Sequence, residues 1–334
     1  MSQRTPMVDR PSPLAPTGAS PGLTIPTTRV ISLLCAILLC LWLGPTLTAA
    51  IVDDVRTTLA RGDFASADRQ IAAFRKAHGA TAELAEAISW EARTALTAKN
   101  YPKAQAYADQ TRELSLQLLK RRKLDADKWL PIALGASIEV EAKIMAARGE
   151  TSNAVAFLQR EFQTYRTTSI AERISKNINL LSLEGKPAPA IDATQWIGAK
   201  PSALASLKGK PVLLFFWAHW CPDCKEEAPL LANIMRKYTP RGLIVMAPTR
   251  YYGYVEEGRD APPTVERKYI EQVRARYYSQ LASVPIPLSG VNFTTWGCSS
   301  TPTLALVDKQ GIVRWYHPGA ATEAELIRAI DKVI

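Results

Sequence analysis

Residues 215–225 read FFWAHWCPDCK, in which two cysteines are separated by two residues. With the apolar residues 212–214 before them, the first of these residues predict a strand that is buried on both faces. Pro222 suits the first turn of a helix, where its missing N–H costs nothing. Cys221 therefore lies where a strand ends and a helix begins, and the positive end of the helix dipole favours its thiolate. Cys224 lies one turn further along, close enough for a disulfide, so the pair predicts a redox centre.

This cysteine motif, with Trp220 before it and an aromatic strand upstream, resembles the active site of the TlpA-like thiol–disulfide oxidoreductases, which have a thioredoxin fold. Two other segments resemble the same family. GKPAP at residues 185–189 is similar to its opening motif, and STPTLALVDKQG at residues 300–311 is similar to its cis-proline segment. The resemblance covers residues 184–334. It implies an α/β thioredoxin fold there, activity as a protein-disulfide reductase, protein dithiols and disulfides as substrates, and no cofactor.

The resemblance also implies a role for each residue of these motifs. Cys221, as the exposed member at the helix start, is the nucleophile, and Cys224 resolves the mixed disulfide with the substrate. The peptide bond between Thr301 and Pro302 should be cis, with the Thr301 backbone presented to a bound peptide strand. The implied substrate-binding residues are Trp220, Pro222, Thr301 and Pro302.

Two more residues beside the cysteines are predicted modulators of the thiolate. His219 either carries a positive charge that stabilises the Cys221 thiolate or is an exposed loop residue, and the second interpretation is preferred. Asp223 lies between the cysteines, and its carboxylate disfavours ionisation of the neighbouring thiol. We therefore expect Cys221 to be only modestly acidic, and the protein to donate electrons to disulfides instead of acting as a strong oxidant.

The group that accepts the proton of the second thiol is left open by the sequence. Many thioredoxins carry a buried Asp six residues before the nucleophile, and Phe215 occupies that position here. Glu256 and Glu257, in a later loop, and water are the remaining candidates. The same loop contains tyrosines at positions 251, 252 and 254, which either line a substrate groove or pack the loop onto the body of the domain.

The cysteine pair has three other interpretations. A structural zinc site needs four ligands, but outside the apolar N-terminal segment only Cys298 and three histidines remain, and no second pair has ligand spacing, so no metal is expected. Cys298 is better explained as a small apolar core residue. Peroxiredoxins share the KGKPV pattern of residues 208–212, but they carry Thr or Ser three residues before the reactive cysteine, where Ala218 stands. A partner-binding module without significant redox turnover stays open as the alternative function.

Length and charge limit the classes of protein further. The chain has 334 residues, enough for two domains with separate cores. The net charge of +10 could favour nucleic acid or a membrane surface, but no basic run is interleaved with aromatic residues. The densest basic cluster, at residues 120–123, is typical of a helix C-terminus. The sequence therefore predicts no nucleic-acid partner.

The N-terminal 50 residues predict export. Residues 1–29 are rich in proline and lack periodicity, which predicts a disordered tail. Residues 30–50 form an apolar run that ends in small residues, which predicts either a cleaved signal peptide or an uncleaved membrane anchor. In both cases the remaining chain lies in the periplasm or at the extracytoplasmic face of the inner membrane. A membrane electron donor would suit this location.

Residues 51–183 predict an all-α domain of helical hairpins that is similar to a tetratricopeptide array. Apolar residues recur at helical spacing, and a turn pattern recurs at Gly62, Asn100 and Gly149. About seven helices are expected. A solenoid of this kind predicts a concave surface that docks a protein partner, whereas a plain helical bundle, the alternative, predicts only a spacer. We expect the chain from Gly185 onward to fold and turn over without this region.

Overall fold

A computed structural model describes residues 51–334 of the chain, so the predicted tail and the signal or anchor segment lie outside the described residues. Residues 51–182 form seven α-helices, as the sequence predicts. They are α1 (Ile51–Ala60), α2 (Phe64–His78), α3 (Ala82–Thr97), α4 (Tyr101–Leu119), α5 (Trp129–Ala147), α6 (Thr151–Tyr165) and α7 (Ala171–Ser182). Within the described part of the chain, no helix is both long and apolar enough to cross a membrane.

The recurring turn pattern produces three similar helix connections. Gly62 and Gly149 adopt positive φ angles of 76° and 84°, and Lys99 adopts the same left-handed conformation at 57°. Asp63 and Asn100 then cap the following helices by accepting backbone N–H groups three residues later. Asn100 is thus a cap that begins a helix, not the residue that ends one. The alanines on the packing face of each new helix are fully buried, namely Ala67, Ala104 and Ala154.

Helix α3 lies at the centre of the helical region, in contact with α1, α4 and α5. Its inward residues are mainly alanine, with Leu84 and Ile88 fully buried between them. Because alanine is small, the neighbouring helices can approach α3 on several sides while leaving few voids. Truncating Leu84 to alanine should therefore cost about 2–5 kcal/mol of stability.

Residues 184–334 form a thioredoxin fold. The strands are β1 (Trp196–Ile197), β2 (Val212–Phe216), β3 (Ile244–Met246), β4 (Ile286–Pro287), β5 (Thr303–Val307) and β6 (Val313–Pro318). The helices are α8 (Pro222–Glu226), α9 (Ala228–Tyr238), α10 (Pro263–Tyr277), α11 (Gly290–Trp296) and α12 (Glu323–Asp331). The central sheet has the order β3-β2-β5-β6, in which β3 runs parallel to β2, and β5 and β6 continue antiparallel. Strands β1 and β4 form a separate short pair.

Strand β2 is buried on both faces, as predicted, because helices cover both sides of the sheet. Leu213 and Phe215 face the cluster formed with α9, α10 and α12, while Leu214 and Phe216 face the cluster that includes α11. This alternation follows from the two-residue period of a strand. The strand therefore ends in a rigid, dry environment immediately before the cysteine motif.

Helix α7 packs against α11 and so covers part of the thioredoxin fold. The Asn179 side-chain amide donates to the carbonyl of Trp296 at 2.8 Å. Gly297 has a φ of 64°, and a Cβ atom there would lie 2.4 Å from the backbone nitrogen of Lys176. Only glycine permits both the backbone conformation and this close approach. The last helix of the helical region therefore packs directly against the C-terminal fold.

Candidate active site

The two cysteines are joined in a disulfide at the start of α8, with their Cα atoms 5.3 Å apart. Cys221 is the residue that caps this helix, and its Sγ accepts the backbone N–H of Cys224 at 3.1 Å. A donor at this distance stabilises negative charge on the sulfur. In the reduced state the same contact would favour the Cys221 thiolate over that of Cys224.

Both cysteines are buried, which corrects the expectation that Cys221 is exposed. Its relative exposure is 1%, and Cys224 is fully covered. Cys221 packs in the same apolar cluster as Trp217 and Ala218, so its side chain is covered by the domain in the disulfide state. The exposed residue beside it is Trp220, at 45%. Pro222 and Asp223 are also exposed.

The cis-proline segment lies beside the dithiol because strands β2 and β5 are neighbours. Phe216, the last residue of β2, pairs with Thr303, the first residue of β5. The peptide bond between Thr301 and Pro302 is cis, as the family resemblance implies. Pro302 is buried, whereas Thr301 is half-buried. The start of β5 and the end of β2 therefore lie at the same end of the sheet, which places Pro302 near the segment that leads to Cys221.

His219 is a buried residue, so its preferred interpretation as an exposed loop residue is wrong. It is 1% exposed, and its Nε2 lies 3.2 Å from the carboxylate of Glu266. Burial lowers the pKa of His219, and the Glu266 carboxylate only partly offsets this. Burial thus disfavours a charged His219, and the other interpretation, a positive charge that stabilises the Cys221 thiolate, stays a prediction.

Glu266 on α10 contacts the residues around His219, and no sequence pattern indicated this role. Besides its contact with His219, its carboxylate accepts the backbone N–H groups of Tyr252 and Gly253. These two residues lie in the segment 247–262 between β3 and α10, which we call the tyrosine loop. One buried carboxylate thus ties this loop to the residue two positions before Cys221.

Tyr252 and Tyr254 pack the tyrosine loop onto the body of the domain, as one of the two interpretations predicts, whereas a substrate groove stays a prediction. The rings of Tyr252, Tyr254 and Tyr269 surround the imidazole of His219 edge-on, with centroids 5.3–5.4 Å away. Tyr254 also lines a cavity of about 540 Å³ beside Trp220. The other residues of its wall include Lys225, Tyr269, Arg276 and Tyr277.

Glu227 is a further candidate residue that sequence reasoning missed. It lies three residues after Cys224 in helical conformation, so the two side chains share one helix face. Burial raises the pKa of Glu227 to about 7, although its Oε1 accepts the backbone N–H of Ala321 at 2.7 Å. Its Oε2 is buried without a hydrogen-bond partner in the described structure. Glu256 and Glu257, the acids named from the sequence, are exposed in the tyrosine loop.

Cys298 is the third cysteine of the described residues, and it is buried. Cys298 is 1% exposed, and burial raises the pKa of its thiol well above the usual range. It therefore stays protonated among the side chains that cover β2. Across residues 51–334, no three His, Cys, Asp or Glu side chains come together in a way that could hold a metal ion.

Comparison with known proteins places the C-terminal part among thioredoxin-like domains. Residues 185–248 match the family model described as "AhpC/TSA family". The thioredoxin-like protein YneN of Bacillus subtilis (strain 168) is 29% identical over 150 residues, which are 44% of this chain and 79% of that protein. The thiol:disulfide interchange protein DsbE of Xylella fastidiosa (strain Temecula1) is 32% identical over 145 residues, which are 42% of this chain and 64% of that protein.

Among solved structures, a thiol:disulfide interchange protein of the thioredoxin family from Chlorobium tepidum is similar to this chain. It is 21% identical, and the match covers 44% of this chain and 95% of that protein, with a TM-score of 0.34. Each of these similarities spans less than half of the chain. The family model and the two curated relatives show that the C-terminal part is a thioredoxin-like domain whose relatives are thiol–disulfide oxidoreductases, in agreement with the resemblance drawn from its motifs.

Proposed function

We propose that this protein is a thiol–disulfide oxidoreductase that reduces disulfides in other proteins. The observation that carries the proposal is the Cys221–Cys224 disulfide at the start of α8, with the Cys221 sulfur accepting the Cys224 N–H. A reversible dithiol needs two sulfurs within bonding reach and an asymmetry between them, and this arrangement provides both.

The reaction proceeds in two exchanges. The Cys221 thiolate attacks one sulfur of a substrate disulfide, which forms a mixed disulfide and releases the other substrate sulfur as a thiolate that takes up a proton. The Cys224 thiolate then attacks the Cys221 sulfur and releases the second substrate thiol. The substrate gains two electrons, and the protein is left as the Cys221–Cys224 disulfide. A second dithiol must reduce it before the next cycle.

Glu227 is the proposed proton acceptor for Cys224 in the second exchange. Its pKa of about 7 makes it able to take and return a proton near neutral pH, which is the condition for an efficient general base. Its unpartnered Oε2 is free to accept that proton. We expect Glu227→Gln to slow turnover at pH 7 by about a hundredfold and to remove the pH dependence that Glu227 causes.

The proposed activity is tested with cysteine variants of the full chain. Reduction of insulin by dithiothreitol should accelerate with the natural protein and not with Cys221→Ser. Cys224→Ser should retain the first exchange and accumulate mixed disulfides with substrates, because no resolving thiol remains. If the natural protein gives no acceleration, the alternative function as a partner-binding module is favoured. If limited alkylation of the reduced protein labels Cys224 before Cys221, the two roles are reversed.

The location and electron supply are part of the same proposal. The apolar residues 30–50 support export, either cleaved or anchored, to the periplasm or the outer face of the inner membrane. A membrane dithiol would then be the electron donor. Fusing alkaline phosphatase after residue 60 tests this, since the enzyme is active only where disulfides form. Inactive fusions would place the protein in the cytoplasm.

The helical region is the proposed docking surface for a protein partner. Trp90 on α3 is half-buried between two guanidinium groups, those of Arg56 at 4.4 Å and Arg93 at 4.3 Å from its ring. Trp90 and Arg56 border a hollow of about 740 Å³ between α1 and α3. An aromatic ring with flanking arginines is typical of the centre of a protein interface. Arg56→Ala should weaken capture of that partner and leave insulin reduction unchanged.

A further inference from the structure

The helical region reaches the C-terminal fold through an ion pair between Glu172 and Arg250. Glu172 lies in the first turn of α7, and Arg250 lies in the tyrosine loop after β3. Their side chains are only 19% and 27% exposed, so solvent and salt screen this pair less than an ion pair on the open surface. Thr294 on α11 also donates to the Glu172 carboxylate at 3.4 Å.

Arg250 in turn packs against two aromatic rings. Its guanidinium carbon lies 5.0 Å from the ring centre of Tyr252 and 4.7 Å from that of Phe293. A planar guanidinium that is held by a carboxylate and stacked on aromatic faces has little freedom to move. The position of Tyr252 therefore depends on Arg250, whose own position depends on Glu172.

Tyr252 completes the path to the cysteine motif. Its ring meets that of Trp220 edge-on with centroids 5.6 Å apart, and it contacts His219 in the same way at 5.4 Å. Trp220 and His219 are the two residues immediately before Cys221. Three successive contacts thus connect the last helix of the helical region with the segment that carries the nucleophile.

We propose that Glu172 is a positioning residue for the dithiol, and that the helical region is thereby a structural part of the active site. Through Arg250 and Tyr252, Glu172 holds Trp220 against the tyrosine loop in the orientation that a substrate meets. The inference rests on the proposed oxidoreductase function. It also makes the two regions interdependent, so a protein bound to the helices could change the activity of the dithiol by moving α7.

The test compares full-length variants that differ in this path alone. Glu172→Gln keeps the shape of the side chain and removes its charge, Arg250→Met removes the guanidinium and keeps the aliphatic stem, and a third protein carries both changes. Asn179→Ala is the matched control, because it removes another hydrogen bond from α7 to α11 without touching Arg250. For each protein, insulin-reduction kinetics, thermal unfolding and the alkylation rate of reduced Cys221 between pH 5 and pH 9 are measured.

We expect each single change in the path to lower kcat/KM about five- to tenfold, mainly by raising KM, because Trp220 no longer has a fixed orientation. The double variant should be no worse than the poorer single one, since both changes interrupt the same path. Alkylation of Cys221 should be about three- to tenfold faster at equal pH as its surroundings loosen. Glu172→Asp should restore part of kcat/KM, and Asn179→Ala should match the natural protein.

Three results would overturn the proposal. The first is an unchanged kcat/KM together with unchanged alkylation of Cys221 in Glu172→Gln. The second is a loss of kcat/KM in the double variant that combines both single losses in full. The third is a loss of kcat/KM in Asn179→Ala as large as that in Glu172→Gln, at the same melting temperature. The alkylation measurement needs no substrate. If the natural protein fails to reduce insulin but Glu172→Gln still accelerates alkylation and Asn179→Ala does not, the positioning role stands while the proposed function fails.

Discussion

At the scale of single residues, the chemistry of this site depends on two buried acidic side chains, those of Glu266 and Glu227. Glu266 lies 3.2 Å from His219, and Glu227 shares a helix face with Cys224. Neither could be found from the sequence, because the contacts join residues far apart: 47 positions separate Glu266 from His219, and 94 separate Glu227 from Ala321. The cysteines, by contrast, were predictable, since their roles follow from neighbouring residues.

Glu227 should also make stability depend on pH. Because its folded pKa of about 7 exceeds the usual 4.5, the folded protein binds this proton more tightly than the unfolded chain. Its ionisation therefore costs stability, progressively as pH rises from 4.5 to 7 and fully above that. Glu227→Gln should be more stable than the natural protein by up to about 3 kcal/mol at pH 8 and equal to it at pH 4, as measured by urea unfolding. A difference that does not change with pH would contradict the buried, proton-binding state of Glu227.

At the scale of elements, local patterns located most helices and strands and missed the contacts between distant ones. The apolar run of β2 was predicted from its composition, and α12 begins with a capping box of Thr322 and Glu325, a pattern that lies within four consecutive residues. Such signals operate within a few residues. The packing of α7 on α11 was not predicted, because it joins residues more than a hundred positions apart, such as Asn179 and Trp296. The same holds for the burial of Cys221, which depends on the surrounding cluster.

The contact between α7 and α11 can be tested at Gly297. Gly297→Ala places a Cβ atom against the backbone of Lys176 and forces alanine into a left-handed conformation, so we expect a loss of about 3 kcal/mol or more. Gly242→Ala is the control, since Gly242 also has a positive φ, of 98°, but open space around it. It should cost about 1 kcal/mol. Equal losses of unfolding free energy in the two variants, measured by chemical denaturation, would mean that α7 shifts to accommodate the Cβ atom at little cost.

At the scale of the whole molecule, the structure connects the two regions more closely than the sequence indicated. The expectation that the chain from Gly185 folds and turns over alone rests on motifs that are complete after that residue. However, α7 ends at Ser182 and covers Trp296, which is fully buried. A fragment that begins at Gly185 would therefore expose part of this apolar surface to water.

Two fragments test this interdependence. One begins at Gly185, and the other begins at Thr167 and so retains α7. We expect the longer fragment to unfold cooperatively in urea, and the shorter one to be less stable by about 2–4 kcal/mol and to bind a hydrophobic dye. The sequence-based expectation predicts equal stability and equal insulin reduction for both, and that result would contradict the role assigned to α7.

The direction of electron flow depends on how strongly the reduced state is stabilised at Cys221. A strong oxidant requires a strongly stabilised thiolate. The helix start and the Cys224 N–H favour the thiolate, but burial disfavours the charged form of His219, and the Asp223 carboxylate opposes ionisation of Cys221. Lys225 is half-buried and lies over the ring of Tyr277, at 4.8 Å. The positive charge available to stabilise the Cys221 thiolate is therefore limited, which favours a reductase.

The midpoint potential of the Cys221–Cys224 pair tests the proposed reductase function most directly. It is measured by equilibrating the full chain in glutathione buffers and quantifying the free thiols, with Cys221→Ser as the blank. We predict a value near the −270 mV typical of thioredoxin, at about −230 mV or lower. A value more oxidising than about −180 mV, the range of disulfide isomerases, would contradict electron donation by this protein.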